Sequence, residues 1–320
     1  MKIAFHSNQL GIRGTEVALY DYALYNEEIL GNKSIIISDK NSDLTTLEKF
    51  KNRFDVFLYE NFEKEVTYHI DKFNVDIFYA IKSGTNDGKV VPNAKNVIHS
   101  VFQIYQPHGD VYAYVSKWLA RKMGGEYMPY VPHIIDILKY DHNNDYRNFL
   151  NIPKNAIVFG YYGGPESFNI DFAKKAVIDV AKTNKNVYFL FMNSIPFCDE
   201  PNILFLEGSA DFERKIGFIN TCDACIHARD GGESFGLTIA EFSSKNKPVI
   251  TTSYCTTALN DLAHLEMLGD KAIIYNNYNE LVAILNNFDS AVILSKNWNA
   301  YQEYNPENVM MQFNQTFILN

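Results

Sequence analysis

The sequence predicts an α/β protein made of two successive domains of similar build, each formed around a parallel sheet. Three observations predict it. Short apolar runs alternate with amphipathic stretches through the first half, which is the rhythm of βα units. Near YMPYVPHIIDILKYDHNND the rhythm breaks, and Pro129, Pro132 and a polar cluster read as a linker. At AIVFGYYGG it restarts. A chain of 320 residues has room for two medium domains with cores of their own.

The elements follow in order. KIAFHS (2–7) reads as a buried strand, and 15–31 as a helix stopped by Gly31. SIIIS (34–38), DVFLYE (55–60), DIFYAI (76–81), NVIHSV (96–101) and VYAYVS (111–116) read as strands. SKWLARKMGG (116–125) is a helix with its own glycine stop. After the linker, AIVFGYYGG (156–164) is a strand with a glycine turn, and NIDFAKKAVIDVAK (169–182) is an amphipathic helix. VYFLFM (187–192), ILFLEG (203–208), ACIHAR (224–229), PVITT (248–252) and AIIYNN (272–277) read as strands. Helices are expected at 211–220, 234–245 and 279–287, with a last short one in ENVMMQFNQTFIL. Open parallel sheets bind ligands beyond the carboxyl ends of their strands, so the cleft between two such domains is the expected site.

Composition narrows the function. Hydrophobic residues make up 47% and charged residues 21%, as in ordinary globular proteins. A formal net charge of −9 argues against broad binding to nucleic acid or an anionic membrane. Aromatic residues reach 14%, which suits stacking on sugars, although aromatic-rich cores are the commoner cause. Cys198, Cys222, Cys225 and Cys255 are too few for a disulfide framework in this length. Cys222 and Cys225 have CxxC spacing, but no second CxxC or His pair accompanies them. They read as reduced, half-buried thiols, and no metal is expected. The start MKIAFHSNQ is too short and too soon polar for a signal peptide, and no apolar run has membrane-spanning length. A soluble, cytoplasmic protein is expected.

Four stretches carry candidate chemistry. Gly11-Ile12-Arg13-Gly14-Thr15-Glu16 lies between the first strand and the first helix. Its glycines allow close backbone approach, the helix amides can receive anionic oxygen, and Arg13 offers forked donors. The spacing is not GxGxxG, which disfavours a nicotinamide dehydrogenase. His99 ends the run NVIHS. Taken alone it reads as a partly buried histidine bonded to backbone, while its place at a strand's carboxyl end favours a ligand-facing role. Gly163-Gly164 form a second glycine turn. Last comes DGGESFGLTIAEF, residues 230–242. Ser234 is expected to cap a helix, leaving the amides of Phe235, Gly236 and Leu237 to receive a pyrophosphate. Glu233 precedes that helix, and Glu241 follows two turns on, about 12 Å along the axis. The two carboxylates would then grip different ends of one long ligand, accepting from vicinal hydroxyls. Two solvated acids are the ordinary alternative.

Together these residues resemble the retaining glycosyltransferases of the GT-B fold, in the large group called family 4. Glu233-Ser-Phe-Gly-Leu-Thr-Ile-Ala-Glu241 is similar to that group's Glu-x7-Glu motif. The GxRGTE turn, His99, VYAYVSKWLA, YVPHIID and EFSSKNKPVITT support it in order, so the resemblance covers nearly the whole chain. It implies two Rossmann-like domains facing each other across a cleft. Residues 1–135 would form the acceptor-side domain, joined by a C-terminal helix at about 303–320, and 136–302 the donor domain. It implies transfer of a sugar from a nucleotide-diphosphate sugar to an acceptor hydroxyl with retention, without metal or other cofactor. The acceptor would be a glycan, a lipid-linked group or a small molecule, with no nucleic acid and no integral membrane segment involved. Glu233 would meet the donor sugar's hydroxyls, Glu241 the ribose, and His99 the sugar near its reacting carbon. Gly14 and its neighbours Gly11 and Arg13 would line the diphosphate.

The sequence departs from the family at one place. Members usually carry an Arg and then a Lys after the first strand of the second domain, and GYYGGPESFNIDF has neither. Arg229, Arg13 and the amides of Gly163 and Gly164 are expected to share the compensation of phosphate charge. His99, Glu233 and Asp110 are the candidates for polar support of the reaction. The rivals are a sugar-nucleotide epimerase of the same fold and a non-catalytic nucleotide-sugar binding protein. Glu16, Asp21, Glu27 and Glu28 on the first helix weigh against an anionic membrane-bound acceptor.

Overall fold

A computed structural model describes all residues except 141–142, 290–292 and 294, and all their side chains except those of 138 and 140. Residues 141–142, at the end of the predicted linker, therefore lie outside the described residues. The chain divides into two compact units, Met1–Ile134 with Glu303–Asn320, and Ile135–Gln302.

The first unit contains β1 (Lys2–Ser7), α1 (Gly14–Glu28), β2 (Lys33–Asp39), α2 (Leu47–Lys51), β3 (Asp55–Tyr59), α3 (Thr67–Phe73), β4 (Ile77–Lys82), β5 (Lys95–Ser100), β6 (Val111–Tyr114) and α4 (Lys117–Gly124). Every strand pair in its sheet is parallel, and the order is β3-β2-β1-β4-β5-β6. Parallel strands are covered on both faces, so they read as unbroken apolar runs rather than alternations. β4 is buried at every position, and β1 and β5 at all but the first. Ser116 starts α4, its hydroxyl oxygen accepting from the Leu119 amide at 3.2 Å.

The second unit contains β7 (Ile157–Tyr162), α5 (Asp171–Thr183), β8 (Val187–Met192), β9 (Ile203–Leu206), α6 (Phe212–Thr221), β10 (Ala224–Ile226), β11 (Gly232–Glu233), α7 (Leu237–Ser244), β12 (Val249–Thr251), β13 (Asp261–Leu262), α8 (Ala263–Leu268), β14 (Ala272–Ile274) and α9 (Tyr278–Asn286). Its main sheet is again all parallel, in the order β14-β12-β10-β7-β8-β9, and β11 pairs with β13 apart from it. Numbered along the chain, the six strands of either sheet run 3-2-1-4-5-6, the Rossmann order. The direction of winding reverses between β1 and β4 in the first unit and between β7 and β10 in the second.

The last helix, α10 (Pro306–Phe313), completes the first unit. The Phe313 ring lies 5.4 Å from Tyr22 and 5.3 Å from Tyr79, and Gln312 Nε2 donates to the Tyr130 carbonyl at 2.6 Å. Three short helices, α2, α3 and α8, were not legible. α2 and α3 each bury one residue, Phe50 and Ile70, and one apolar position shows no period. The acids of α1 are also placed differently from the expectation of an acidic surface. Glu16 and Asp21 are buried, and Glu27 is paired with Arg53 and Lys33, so they say little about a membrane. Among the described residues no helix is long and apolar enough to cross a membrane.

Cys222 and Cys225 are free and fully buried rather than half-buried. Cys222 explains Gly160 in β7, because a Cβ there would overlap its Sγ and press on the Phe218 ring. Gly160→Ala is therefore expected to cost about 1–3 kcal/mol by overpacking. Adding Cys222→Ala should return part of that loss in a urea titration. A Gly160→Ala protein as stable as the parent would contradict this packing.

Candidate functional site

β7 and β10 are neighbours at the reversal of the second sheet, the place where open α/β sheets bind ligands beyond the carboxyl ends of their strands. β7 delivers Tyr161, Tyr162, Gly163 and Gly164 there. A Cβ on Gly163 would stand 2.6 Å from both Ser167 Oγ and the Tyr161 hydroxyl, so packing requires the glycine. The Gly163 carbonyl accepts from Asn193 Nδ2 at 2.6 Å, and that of Gly164 from Ser167 Oγ at 2.6 Å. The turn is thus a rigid rim. It is not a helix start, since α5 begins only at Asp171.

β10 delivers His227 and Arg229, and the chain then bends through Gly231 and Gly232, at φ +91° and +68°. Only glycine takes such values freely. Gly232 also pairs with Asp261, so closely that a Cβ would overlap the Asp261 carbonyl. Asp230 is anchored on both sides: its amide donates to Asn169 Oδ1 at 2.7 Å, and its Oδ1 accepts from the Thr256 amide at 2.7 Å. This fixed bend sets the position of Glu233.

Glu233 Oε2 accepts from Arg229 Nη1 at 2.7 Å, and Oε1 stands 3.5 Å from His227 Nε2. The Glu233 side chain is 17% exposed and that of Arg229 40%. Burial alone would raise the carboxyl pKa, but the Arg229 guanidinium and then His227 outweigh it and hold it at about 2. Glu233 is therefore an ionised, partly accessible carboxylate at the switch point.

Glu241 is built differently. Lys215 Nζ donates to its Oε1 at 2.7 Å, the Tyr162 hydroxyl donates to its Oε2, and its side chain is 5% exposed. It ties α7 to α6 and to the end of β7. Glu233 precedes the helix, as expected, and lies in β11. The helix itself starts at Leu237, not at 234. Gly236, at φ 86° and ψ 68°, is the N-cap residue, and no side chain caps α7, Ser234 included. Phe235 is buried, with its ring 5.9 Å from that of Tyr301.

In the first unit His99 is also corrected. It is fully buried, with Nδ1 2.7 Å from the Tyr79 hydroxyl and Nε2 2.9 Å from the Val131 carbonyl. Burial pushes its pKa down to about 3. Both ring nitrogens serve the core, so the reading of a lone histidine bonded to backbone holds over that of a ligand-facing one. Asp110 is corrected too: its Oδ2 accepts from the Asn96 amide at 2.7 Å, at the amino end of β5, the edge opposite to the ligand edge. Gly11 is buried against Asp43, Arg13 is exposed and precedes α1, and Gly14 is the first residue of that helix. Beside them Glu16 accepts from Ser7 Oγ at 3.2 Å and Gln9 Nε2 at 3.3 Å, and burial raises its pKa to about 7.

Lys215, Tyr162, His227 and Thr251 escaped the sequence reading. Only Lys215 left a trace there. Lys215, Phe218, Ile219 and Cys222 follow the i, i+3, i+4, i+7 rule and are all buried, which sets a lysine on an apolar helix face.

No family model matches the chain, and no curated protein matches its sequence. Solved structures do match its fold. The Anabaena protein HepE in complex with UDP-glucose is similar at a TM-score of 0.77 and 16% identity, covering 99% of each chain. A glycosyltransferase from Rickettsia africae is similar at 0.66 and 16%, covering 100% of this chain and 94% of its own. WaaG, a glycosyltransferase involved in lipopolysaccharide biosynthesis, is similar at 0.66 and 11%, covering 98% and 99%. These likenesses show the fold class, two Rossmann-like domains of the GT-B kind.

Two stability predictions follow from the buried charges. Lys215→Met strands a buried carboxylate and is expected to cost about 3–5 kcal/mol, most of it recovered by adding Glu241→Leu. Equal stability of parent and Lys215→Met in a urea titration would contradict the pairing. The second concerns pH. Burial lowers His6, His99, His133 and His264 from 6.5 to about 3. The unfolded chain protonates them first, so their stabilisation is full above pH 6.5 and drains away as pH falls toward 3. Glu16, raised from 4.5 to about 7, works the other way over the same window. Glu233 joins the loss only below its ordinary value of 4.5. Four groups outweigh one, so Tm should fall between pH 6.5 and 4.5, and a flat or rising Tm would contradict the burial.

Proposed function

We propose that the chain is a glycosyltransferase that takes a sugar from a nucleoside-diphosphate sugar, held in the second unit beyond the carboxyl ends of β7 and β10. The observation that carries this is Glu233: an accessible carboxylate kept ionised by Arg229, at a switch point, just ahead of the α7 amino terminus. An ionised carboxylate only accepts hydrogen bonds, which suits adjacent sugar hydroxyls. The orphan amides of a helix start, here at Gly236 and Leu237, suit a diphosphate. The complex of HepE with UDP-glucose supports a nucleotide sugar as the donor class.

Some residue roles differ from those the resemblance implies. Glu233 receives the donor sugar's hydroxyls, and Arg229 both steadies Glu233 and offers positive charge near the diphosphate. Gly163 and Gly164 form the rim. Glu241 holds α7 in place, and a ribose contact would need the second lone pair of an oxygen already bonded. His99 is assigned to the core. The carboxyl edge of the first unit, with Gly11, Arg13, Gly14 and Glu16, is the proposed acceptor side. Retention and independence of metal are proposed on the resemblance of the Glu233–Glu241 segment alone.

A thermal-shift panel of UDP-, GDP-, ADP- and dTDP-sugars tests the reading, because a ligand of the native state raises Tm. At least one nucleotide sugar should do so, and no response across the panel would contradict a donor site. Nucleoside diphosphate should be released faster when glycoside acceptors are supplied, which an epimerase would not show. Glu233→Gln, which also gives up the ion pair with Arg229, is expected to lower that turnover by about 100-fold or more while the protein remains folded. Turnover equal to the parent's would remove Glu233 from the site.

A further inference from the structure

Below Glu233 lies a buried polar layer that the donor reading leaves unused. His227 and His264 are fully buried, with ring centroids 5.1 Å apart. His227 Nε2 has no hydrogen-bond partner at ordinary geometry. Buried polar atoms are paired in the great majority of cases, so an unpaired one needs a cause.

His227 is held firmly. Its amide donates to the Ile250 carbonyl at 2.8 Å, and its carbonyl accepts from the Tyr275 hydroxyl at 2.8 Å. Its Nδ1 lies 2.9 Å from Thr251 Oγ1. With the ring fixed in this way, Nε2 stands 3.5 Å from Glu233 Oε1. Charge decides which nitrogen carries the proton. A lone pair on Nε2 would face an ionised carboxylate and be repelled, whereas an N–H there is attracted. The Thr251 hydroxyl then donates to Nδ1 and locks that tautomer.

We infer that His227 is a positioning residue for Glu233, its Nε2–H closing on Oε1 when a sugar occupies the site, with Thr251 setting the tautomer. Bonds of this kind are often long in the free protein and tighten in the complex. Arg229 then holds Oε2 and His227 holds Oε1, which fixes the plane of the carboxylate. One lone pair on each oxygen remains, aimed at two neighbouring hydroxyls of the donor sugar. His227 in this way governs the recognition of the sugar and leaves that of the nucleotide untouched. The inference rests on the donor reading above.

The test titrates two ligands into the parent, His227→Phe, His227→Gln and Thr251→Val proteins. The ligands are the nucleotide sugar with the largest shift in the panel and its free nucleoside diphosphate. His227→Phe should bind the nucleotide sugar about 10-fold more weakly, the scale of one hydrogen bond to a charged group, with the free nucleotide within about twofold. His227→Gln, which offers an amide N–H, should recover most of the loss, and Thr251→Val should lose about threefold. Equal weakening of both ligands, or equal loss in His227→Phe and His227→Gln, would reduce His227 to a packing residue and overturn the inference. If His227→Phe does not fold, Thr251→Val decides, and an unchanged ratio of the two affinities overturns it. Failure of every nucleotide sugar to bind the parent would overturn the donor reading itself, and this inference with it.

Discussion

The ionised state of Glu233 is the constraint around which the carboxyl edge of the second unit is arranged. A carboxylate mostly withdrawn from water is costly unless something compensates it. Arg229 does so from four residues earlier, across a bend that only Gly231 and Gly232 allow. The bend is anchored through Asp230, Asn169 and Thr256, and through the pairing of β11 with β13. Packing, backbone conformation and charge thus converge on one acceptor group at the switch point of the sheet.

The second glutamate shows how the same chemistry takes another use when burial is complete. Glu241 is compensated by Lys215 and Tyr162 and becomes an internal tie between β7, α6 and α7. Thr238 adds a bond from α7 to the Tyr162 carbonyl at 2.7 Å. This network holds the amino terminus of α7 against the end of the central strand. A helix start can serve a diphosphate only if it stays in place, so the buried acid contributes through geometry even with its oxygens occupied.

The fold was largely legible because parallel strands covered on both faces leave continuous apolar runs, such as IVFGYY and VYFLFM. The strand order was not, since nothing local in the sequence says which strands are neighbours. The candidate site was legible where chemistry follows from position in the chain, as with Arg229 and Glu233 in a glycine-rich bend. It was misread where the answer depended on what lies across the core. His99 looks the same in sequence whether it faces a ligand or bonds Tyr79 and Val131. Ser234 is a good capping residue by type, yet the left-handed Gly236 moves the helix start past it. Asp110 closes the amino end of β5, and a carboxylate in a loop gives no sign in sequence of which strand end it closes.

The most direct measurement is a crystal structure of the protein bound to its best nucleotide sugar. The ligand should lie beyond the carboxyl ends of β7 and β10, with the diphosphate at the α7 amides. Sugar hydroxyls should lie within about 3 Å of the Glu233 oxygens. A donor bound at any other edge, or one that leaves Glu233 and Arg229 paired only with each other, would contradict it.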